Sequence, residues 1–124
     1  MNGNRYLLDT NIFINAIHQK IKLPIAHYAF SVITELELLG FPGLNSTDEA
    51  VIKAILQQLT RIELNEQIRA ETIQIRRSSL MKLPDSIISA SAIVTGATLV
   101  TDDIKLAQKH NSSVISLDDL LSLS

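Results

Sequence analysis

Four acidic residues are the strongest candidates for chemistry in this sequence: Asp9, Glu37, Asp85 and Asp103. Each lies where a short apolar run gives way to turn-forming or helix-starting residues. In an open α/β sheet, ligands bind just beyond the carboxyl ends of parallel strands, so we expect these distant acids to converge there. Converging carboxylates repel one another and need a cation. Oxygen ligands without cysteine or a nearby histidine favour a hard ion such as Mg²⁺ or Mn²⁺, whose usual work is phosphoryl chemistry.

Each of these acids also has a purely structural explanation. Asp9 and Asp103 could each cap the helix that follows. Glu37 stands three residues after Thr34, which is the spacing of a capping box. Asp85 could simply interact favourably with a helix dipole. The four acids therefore indicate a metal site only when they are considered together.

The composition indicates a single domain over residues 1–124. The apolar fraction is 46% and aromatic residues make up only 4%, so the core must be built from Ile, Leu, Val and Ala. The first nine residues contain no apolar segment long enough for a signal peptide. The longest mainly apolar stretch, 87–100, falls short of a membrane span. We therefore expect a cytoplasmic protein without membrane association.

Basic residues are concentrated in the segment before Asp85. The net charge of −2 lacks the basic footprint that is usual for nucleic-acid binders. Arg69, Arg76, Arg77 and Lys82 nevertheless fall in one stretch that leads to the third acid. Such a run is most often a solvated helix face, and contact with a nucleic-acid backbone is the alternative.

The chain alternates between short apolar runs and amphipathic segments. We predict strands at 6–8, 28–33, 61–64, 98–101 and 113–116. We predict helices at 11–19, from Thr34 to the break at 40–43, at 50–59 behind a cap at 46–49, and at 65–80, 85–95, 104–109 and 117–121. Strands separated by helices favour an α/β fold, with a mainly parallel sheet between two helical layers.

Four segments together resemble the signature blocks of a known family. Residues 7–12, 31–38, 83–90 and 98–103 are similar in order and spacing to those of PIN-domain ribonucleases, specifically the VapC-type toxins of toxin–antitoxin pairs. The resemblance covers nearly the whole chain. It implies a PIN-like three-layer α/β/α fold and a Mg²⁺- or Mn²⁺-dependent endoribonuclease. It also implies RNA as the substrate, a small VapB-like antitoxin as the inhibitor, and a homodimer.

The resemblance assigns catalytic and metal-binding roles to Asp9, Glu37, Asp85 and Asp103. Glu35 lies in the same block as Glu37, but the family glutamate stands three residues after the threonine, which selects Glu37. Residues two apart on a helix point in different directions, so we do not expect both glutamates to bind the same ion.

Other residues receive secondary roles from the resemblance. Asn11 matches a polar residue that supports the first acid, Thr101 could hydrogen-bond an acid, and Asp102 is an outer candidate at a variable position. Three basic side chains would guide the RNA backbone toward the acids: Arg76, Arg77 and Lys82. We expect the antitoxin to anchor apolar side chains along the helices between residues 50 and 80.

Three other functions were weighed. A phosphatase with an aspartyl nucleophile needs an acid at position 11, where the chain has Asn11. A PIN nuclease that processes RNA without an antitoxin, and a non-catalytic binding module of the same fold, both stay open. The histidines lack ligand spacing and are expected to be structural or exposed: His18, His27 and His110. Asp118 and Asp119 are expected to cap the last helix.

Overall fold

The computed structural model describes residues 5–123; residues 1–4 and 124 of the predicted 1–124 domain lie outside the described residues. The described part contains five strands: β1 (Arg5–Leu8), β2 (His27–Ser31), β3 (Thr60–Ile62), β4 (Thr98–Val100) and β5 (Val114–Ile115). It contains seven helices: α1 (Thr10–Gln19), α2 (Val32–Leu39), α3 (Ser46–Gln57), α4 (Glu66–Ser78), α5 (Leu83–Thr95), α6 (Ile104–Lys109) and α7 (Leu117–Leu121). Among these, no helix combines the length and hydropathy needed to cross a bilayer.

All five strands run parallel in the order β3-β2-β1-β4-β5. The first strand of the chain is central, because Leu7 stands opposite Ala29 of β2 on one side and Leu99 of β4 on the other. The predicted α/β class with a mainly parallel sheet is confirmed.

Helices cover both faces of the sheet. Side chains alternate along a strand, so Leu7 and Leu99 face one layer, where they pack with Ile88 of α5 and Leu106 of α6. The opposite face packs against α1, α3 and α7 through a larger cluster: Tyr6, Leu8, Ile12, Phe13, Phe30, Leu38, Ile52, Leu56, Val100, Leu117 and Leu120. This arrangement is the three-layer α/β/α fold that the resemblance implies.

Helix α5 is the most buried helix of the described chain, with every residue from Ser86 to Ala92 in the interior. Pro84 occupies its first turn, where the missing N–H leaves no hydrogen bond unmade. Gly96 ends it in the left-handed conformation, at φ 73°. Both features were predicted.

The start of α2 differs from the prediction. The second strand ends at Ser31 instead of residue 33, and the Ser31 side chain caps α2 by accepting the N–H of Ile33. The prediction of Thr34 as N-cap with Glu37 as its capping-box partner is therefore wrong. Two hydroxyl residues in one short segment are both able to cap a helix, and the chain turns at the earlier one.

Smaller corrections concern other boundaries. The third strand lies at Thr60–Ile62 and not at 61–64, and the fifth spans only Val114–Ile115. Helix α4 ends at Ser78 instead of residue 80, because the backbone of Ser79 is extended, at φ −144° and ψ 168°. The Ser79 hydroxyl donates to the carbonyl of Ile75 at this end. The cap of α7 is Ser116, with Asp119 completing a capping box; Asp118 lies in the first turn and is not the cap.

Candidate active site

The four predicted acids lie on the same edge of the fold. Asp9 directly follows β1, Asp103 follows β4 after two residues, Glu37 lies on the helix after β2, and Asp85 lies in the first turn of α5. Because β1, β2 and β4 are parallel neighbours, their carboxyl ends share one edge of the sheet. The structure thus brings acids from four separate segments into electrostatic contact.

Asp9 is the buried member of this group, with 5% of its surface exposed. Its Oδ1 accepts the backbone N–H of Thr10 at 2.8 Å, and its Oδ2 accepts the hydroxyl of Thr101 at 2.7 Å. Burial raises the pKa of Asp9, the two hydrogen bonds oppose that rise, and the charges of Asp85 and Asp103 add to it. The protein therefore holds a carboxylate in a place that disfavours its negative charge.

Thr101 joins Asp9 to the fourth acid. Its hydroxyl donates to Asp9 and its oxygen accepts the backbone N–H of Asp103 at 3.0 Å. Asp103 in turn caps α6, because its Oδ1 accepts the N–H groups of Lys105 and Leu106 at 3.0 and 3.2 Å. Asp103 thus has both of the roles considered for it, as a helix cap and as a member of the acidic group.

Glu37 and Glu35 point to different surroundings. Glu37 Oε1 accepts a hydrogen bond from the hydroxyl of Thr10 at 2.6 Å, and Thr10 is the residue that follows Asp9. Glu35 instead pairs with Arg61 at 3.4 Å, beside the outer strand β3. The structure therefore brings Glu37 to the acidic group and leaves Glu35 outside it.

Asp85 lies between negative and positive groups. Burial raises its pKa first, and the charges of Asp103 and Glu37 raise it further. Lys82 and Lys109 act in the opposite direction. Of these two lysines only Lys82 was singled out in the sequence. Lys109 ends α6, and no local spacing links it to Asp85.

Two secondary candidates lie apart from the acids. The Asp102 carboxylate accepts the N–H of Leu117 at 3.0 Å, so it ties the end of β4 to α7 and points away from the group. Asn11 is exposed in the first turn of α1. Neither side chain is brought together with the four acids.

Among the basic candidates, Arg76 has a structural contact. Its Nη1 donates to the carbonyl of Met81 at 2.8 Å, across the turn between α4 and α5. Arg77 is exposed in the last turn of α4. His18 and His27 are exposed, whereas His110 is buried with its Nδ1 2.6 Å from the hydroxyl of Ser89.

Sequence reasoning missed the hydroxyl of Thr10. The Oγ1 of Thr10 lies 2.6 Å from Glu37 Oε1 and 3.0 Å from Thr34 Oγ1. The only signal in the sequence was the position of Thr10 next to Asp9. Thr34 was noticed but was given the wrong role.

The donor chemistry of the group fits a hard divalent cation. All four side chains offer carboxylate oxygens. Burial raises the pKa values of Asp9 and Asp85, repulsion between the acids adds to the rise, and a cation bound there would offset both effects. Within residues 5–123, however, no three acidic or histidine side chains stand close enough to share one ion as they are. The ligand types fit a divalent cation, but in this structure the carboxylate oxygens are not arranged to bind a single ion.

Solved structures of other proteins share this fold. No curated protein matches the chain. The fold is similar to that of DNA-bound VapBC from Salmonella typhimurium, with a TM-score of 0.78 and 20% sequence identity. The alignment covers 90% of this chain and 97% of that one. VapBC2 from Rickettsia felis, bound to a fragment of its promoter, gives TM-score 0.77, 22% identity and coverage of 90% and 98%. A toxin–antitoxin complex from Klebsiella pneumoniae gives TM-score 0.73, 24% identity and coverage of 89% and 95%.

At these identities the structural likeness shows the fold. The sequence match is more specific, because the family model described as PIN domain matches residues 6–111 and so includes all four acids. Both observations agree with the all-parallel sheet and with the acids at its carboxyl edge. The chain belongs to the PIN domain family.

Proposed function

We propose that this protein is a metal-dependent endoribonuclease of the VapC type and the toxin of a toxin–antitoxin pair. The observation that carries the proposal is the group of four acids at the carboxyl edge of a PIN-family sheet. Burial and mutual repulsion raise the pKa of Asp9 and of Asp85, which is unfavourable for the fold alone. Groups held at such a cost are concentrated at functional sites.

In the proposed site, Asp9, Glu37 and Asp85 would hold Mg²⁺ or Mn²⁺, and Asp103 would complete the set of ligands. A divalent ion bound there would supply positive charge for the scissile phosphate and acidity for the attacking water. The protein groups act by position. Thr101 and the backbone N–H of Thr10 hold the two oxygens of Asp9 in a fixed orientation.

The proposed RNA path passes the lysines beside Asp85. Lys82 and Lys109 are close enough to Asp85 to lower its pKa, so they also lie within reach of a phosphate at the acids. Phosphate contacts of this kind give affinity without sequence information. Arg77 is exposed and can extend this path. Arg76 is a weaker candidate because its guanidinium already holds the Met81 carbonyl.

An apolar groove beside Glu37 supports the antitoxin as partner. We expected the groove between the helices of residues 50–80, but α3 packs against α2 whereas α4 packs against α5. The groove lies instead between α1, α2 and α3, has a volume of about 210 Å³, and includes Thr10 and Glu37 in its lining. Its walls are mainly apolar side chains: Ile14, Ile17, Leu38, Phe41, Leu44, Val51 and Ile52.

The charges at the rim of this groove suit a basic partner. Glu37 and Asp48 both lie on it, so an amphipathic antitoxin segment could place apolar side chains inside and an Arg or Lys against the acids. An RNA segment would meet repulsion from the same two carboxylates. The proposed occupant is therefore the antitoxin.

A homodimer stays part of the proposal. Ile73 of α4 is 50% exposed and Leu80, just after this helix, is 92% exposed, so α4 and its end present apolar surface. Light scattering of the purified protein tests this point, and a monomer at micromolar concentration would contradict it.

The experiment for the function is an RNA cleavage assay with the purified protein. We expect cleavage of RNA in Mn²⁺ or Mg²⁺, none in a chelator, and a loss of about 10²- to 10³-fold for the Asp85→Asn variant in the presence of either metal. Cleavage that survives both the chelator and Asp85→Asn would contradict the proposed site. Absence of a neighbouring gene for a small partner protein would favour the stand-alone RNA-processing nuclease, and absence of metal binding would favour the non-catalytic module.

A further inference from the structure

Thr10 forms hydrogen bonds to two of the four acids, Asp9 and Glu37. Thr10 begins α1 directly after Asp9, and its backbone N–H donates to Asp9 Oδ1 at 2.8 Å. Its hydroxyl donates to Glu37 Oε1 at 2.6 Å. The second bond is charge-assisted and short, which is the stronger class of hydrogen bond. Thr10 thus links a carboxylate at the end of β1 to a carboxylate on α2.

A second hydroxyl sets the direction of this link. Thr34 Oγ1 lies 3.0 Å from Thr10 Oγ1, and Thr34 is fully buried. A threonine hydroxyl carries one hydrogen, and an ionised Glu37 can only accept. Because Thr10 gives its hydrogen to Glu37, the Thr34 hydroxyl must donate to Thr10. The three groups form a chain of hydrogen bonds that ends on the carboxylate.

Glu37 is the acid that most needs such support. Its side chain is exposed, and an exposed glutamate samples many rotamers. Its negative charge also repels that of Asp85, and this repulsion favours rotamers that turn the Glu37 carboxylate away. Asp9 and Asp103, in contrast, are each fixed by backbone N–H groups. Among the described contacts, the Thr10 hydroxyl is the one that ties Glu37 to the residue next to Asp9.

We propose that Thr10 is a positioning residue, which uses its hydroxyl, oriented by Thr34, to hold Glu37 beside Asp9 for cation binding. The inference rests on the proposed function, since it concerns the same cation. The opposite arrangement, in which the hydroxyl withholds Glu37 from the cation, predicts tighter binding when the hydroxyl is removed. Cation affinity therefore separates the two.

The test is calorimetric titration of Mn²⁺ into metal-free wild type, Thr10→Val, Thr10→Ser and Glu37→Gln. Valine has the shape of threonine without the hydroxyl. We expect Thr10→Val to weaken Mn²⁺ binding by about 10- to 100-fold, the size of one hydrogen bond to a charged group. Thr10→Ser keeps the hydroxyl and should restore most of the affinity. Unchanged or tighter binding by Thr10→Val would overturn the proposal.

A double-mutant cycle separates positioning from a general structural role. If Thr10 acts through Glu37, Thr10→Val should change Mn²⁺ affinity little when Glu37→Gln is already present. An equal loss in both backgrounds would overturn the proposal. Thr34→Val is the second variant in case Thr10→Val does not fold, and we expect it to weaken binding by a smaller factor. No loss with Thr34→Val would then count against the chain of hydroxyls.

The outcomes also separate this inference from the proposed function. If wild type binds Mn²⁺ in a way that Asp85→Asn abolishes, but Thr10→Val binds equally well, only the positioning role fails. If wild type binds no Mn²⁺, the proposed function fails and the positioning role fails with it.

Discussion

The two halves of the acidic group are held in different ways. Asp9 and Asp103 each stand at the N-cap of a helix, where backbone N–H groups fix their carboxylates. Glu37 and Asp85 lie inside helices, and among the described contacts neither carboxylate accepts a backbone N–H. We therefore expect the first half to serve both the fold and the proposed site, and the second half to serve mainly the proposed site. Substitutions in the two halves should differ in their effect on stability while agreeing in their effect on activity.

The largest expected effect is shared by both halves. Asp9→Asn and Asp85→Asn should each reduce RNA cleavage by about 10²- to 10³-fold, because each removes a charge that the proposed cation requires. Both variants should fold, since losing one carboxylate relieves repulsion in the metal-free protein. Cleavage assays with circular dichroism on the same samples provide the check. A variant that folds and still cleaves at the wild-type rate would remove that acid from the site.

The next effect concerns the two neighbouring glutamates. Glu37→Gln should lower cleavage by at least about tenfold, whereas Glu35→Gln, the matched control, should leave it nearly unchanged. Glu35 pairs with Arg61 on the surface, and such exposed pairs contribute little. Equal losses in a paired assay would mean that the assignment of the second acid is wrong.

Stability should distinguish the capping acids from the others. Asp103→Ala should be less stable than Asp103→Asn by about 1 kcal/mol, because asparagine keeps the cap of α6 and alanine does not. Asp85→Ala and Asp85→Asn should unfold at nearly the same urea concentration. A similar gap between the two variants at both positions would show that the halves of the site do not differ in this way.

The smallest effect is a pH dependence of the metal-free protein. The pKa of Asp85 is raised above its ordinary 3.8, so the folded state binds that proton more tightly than the unfolded chain. The stability it contributes is fully present below 3.8 and is lost as the pH rises through the folded pKa. Wild type should thus gain stability relative to Asp85→Asn as the pH falls from about 7 to 4 in urea titrations.

His110 provides the control of opposite sign. Burial lowers its pKa below 6.5, so the unfolded chain takes up this proton first. The stability it contributes is present above 6.5 and is lost as the pH falls from that value through the lower folded pKa. His110→Gln should therefore remove a loss of folding stability at acid pH, whereas Asp85→Asn should remove a gain of folding stability at acid pH. If both variants change the pH profile in the same direction, one of the two assigned environments is wrong.

Much of the fold could be predicted because its signals are local. Apolar periodicity located the strands, and Pro84 and Gly96 bounded α5 as their backbone preferences require. The start of α2 could not be predicted, since Ser31 and Thr34 are equally able to cap a helix. Only the pairing of β2 with its neighbours decides where the strand ends.

The candidate site also has features that follow from local signals and features that depend on distant contacts. That Asp9 and Asp103 come near each other follows from their position after strands that pair in parallel. The separate surroundings of Glu35 and Glu37, the turn of Asp102 toward α7, and the approach of Lys109 to Asp85 all depend on contacts between distant segments. Spacing along the chain contains no record of these contacts.

The central place of the first strand also sets an order in time. Tyr6 pairs with Thr98, and Thr101, which bonds Asp9, is 92 residues away from it. At the usual rate of translation a ribosome needs roughly 5 to 20 seconds to cover that distance. During this interval β1 and Asp9 exist without β4, Thr101 or Asp103, so the pocket of acids cannot form on a partly made chain. For the proposed toxin, synthesis itself is a delay, and an antitoxin already present has those seconds in which to meet the chain before it can cut.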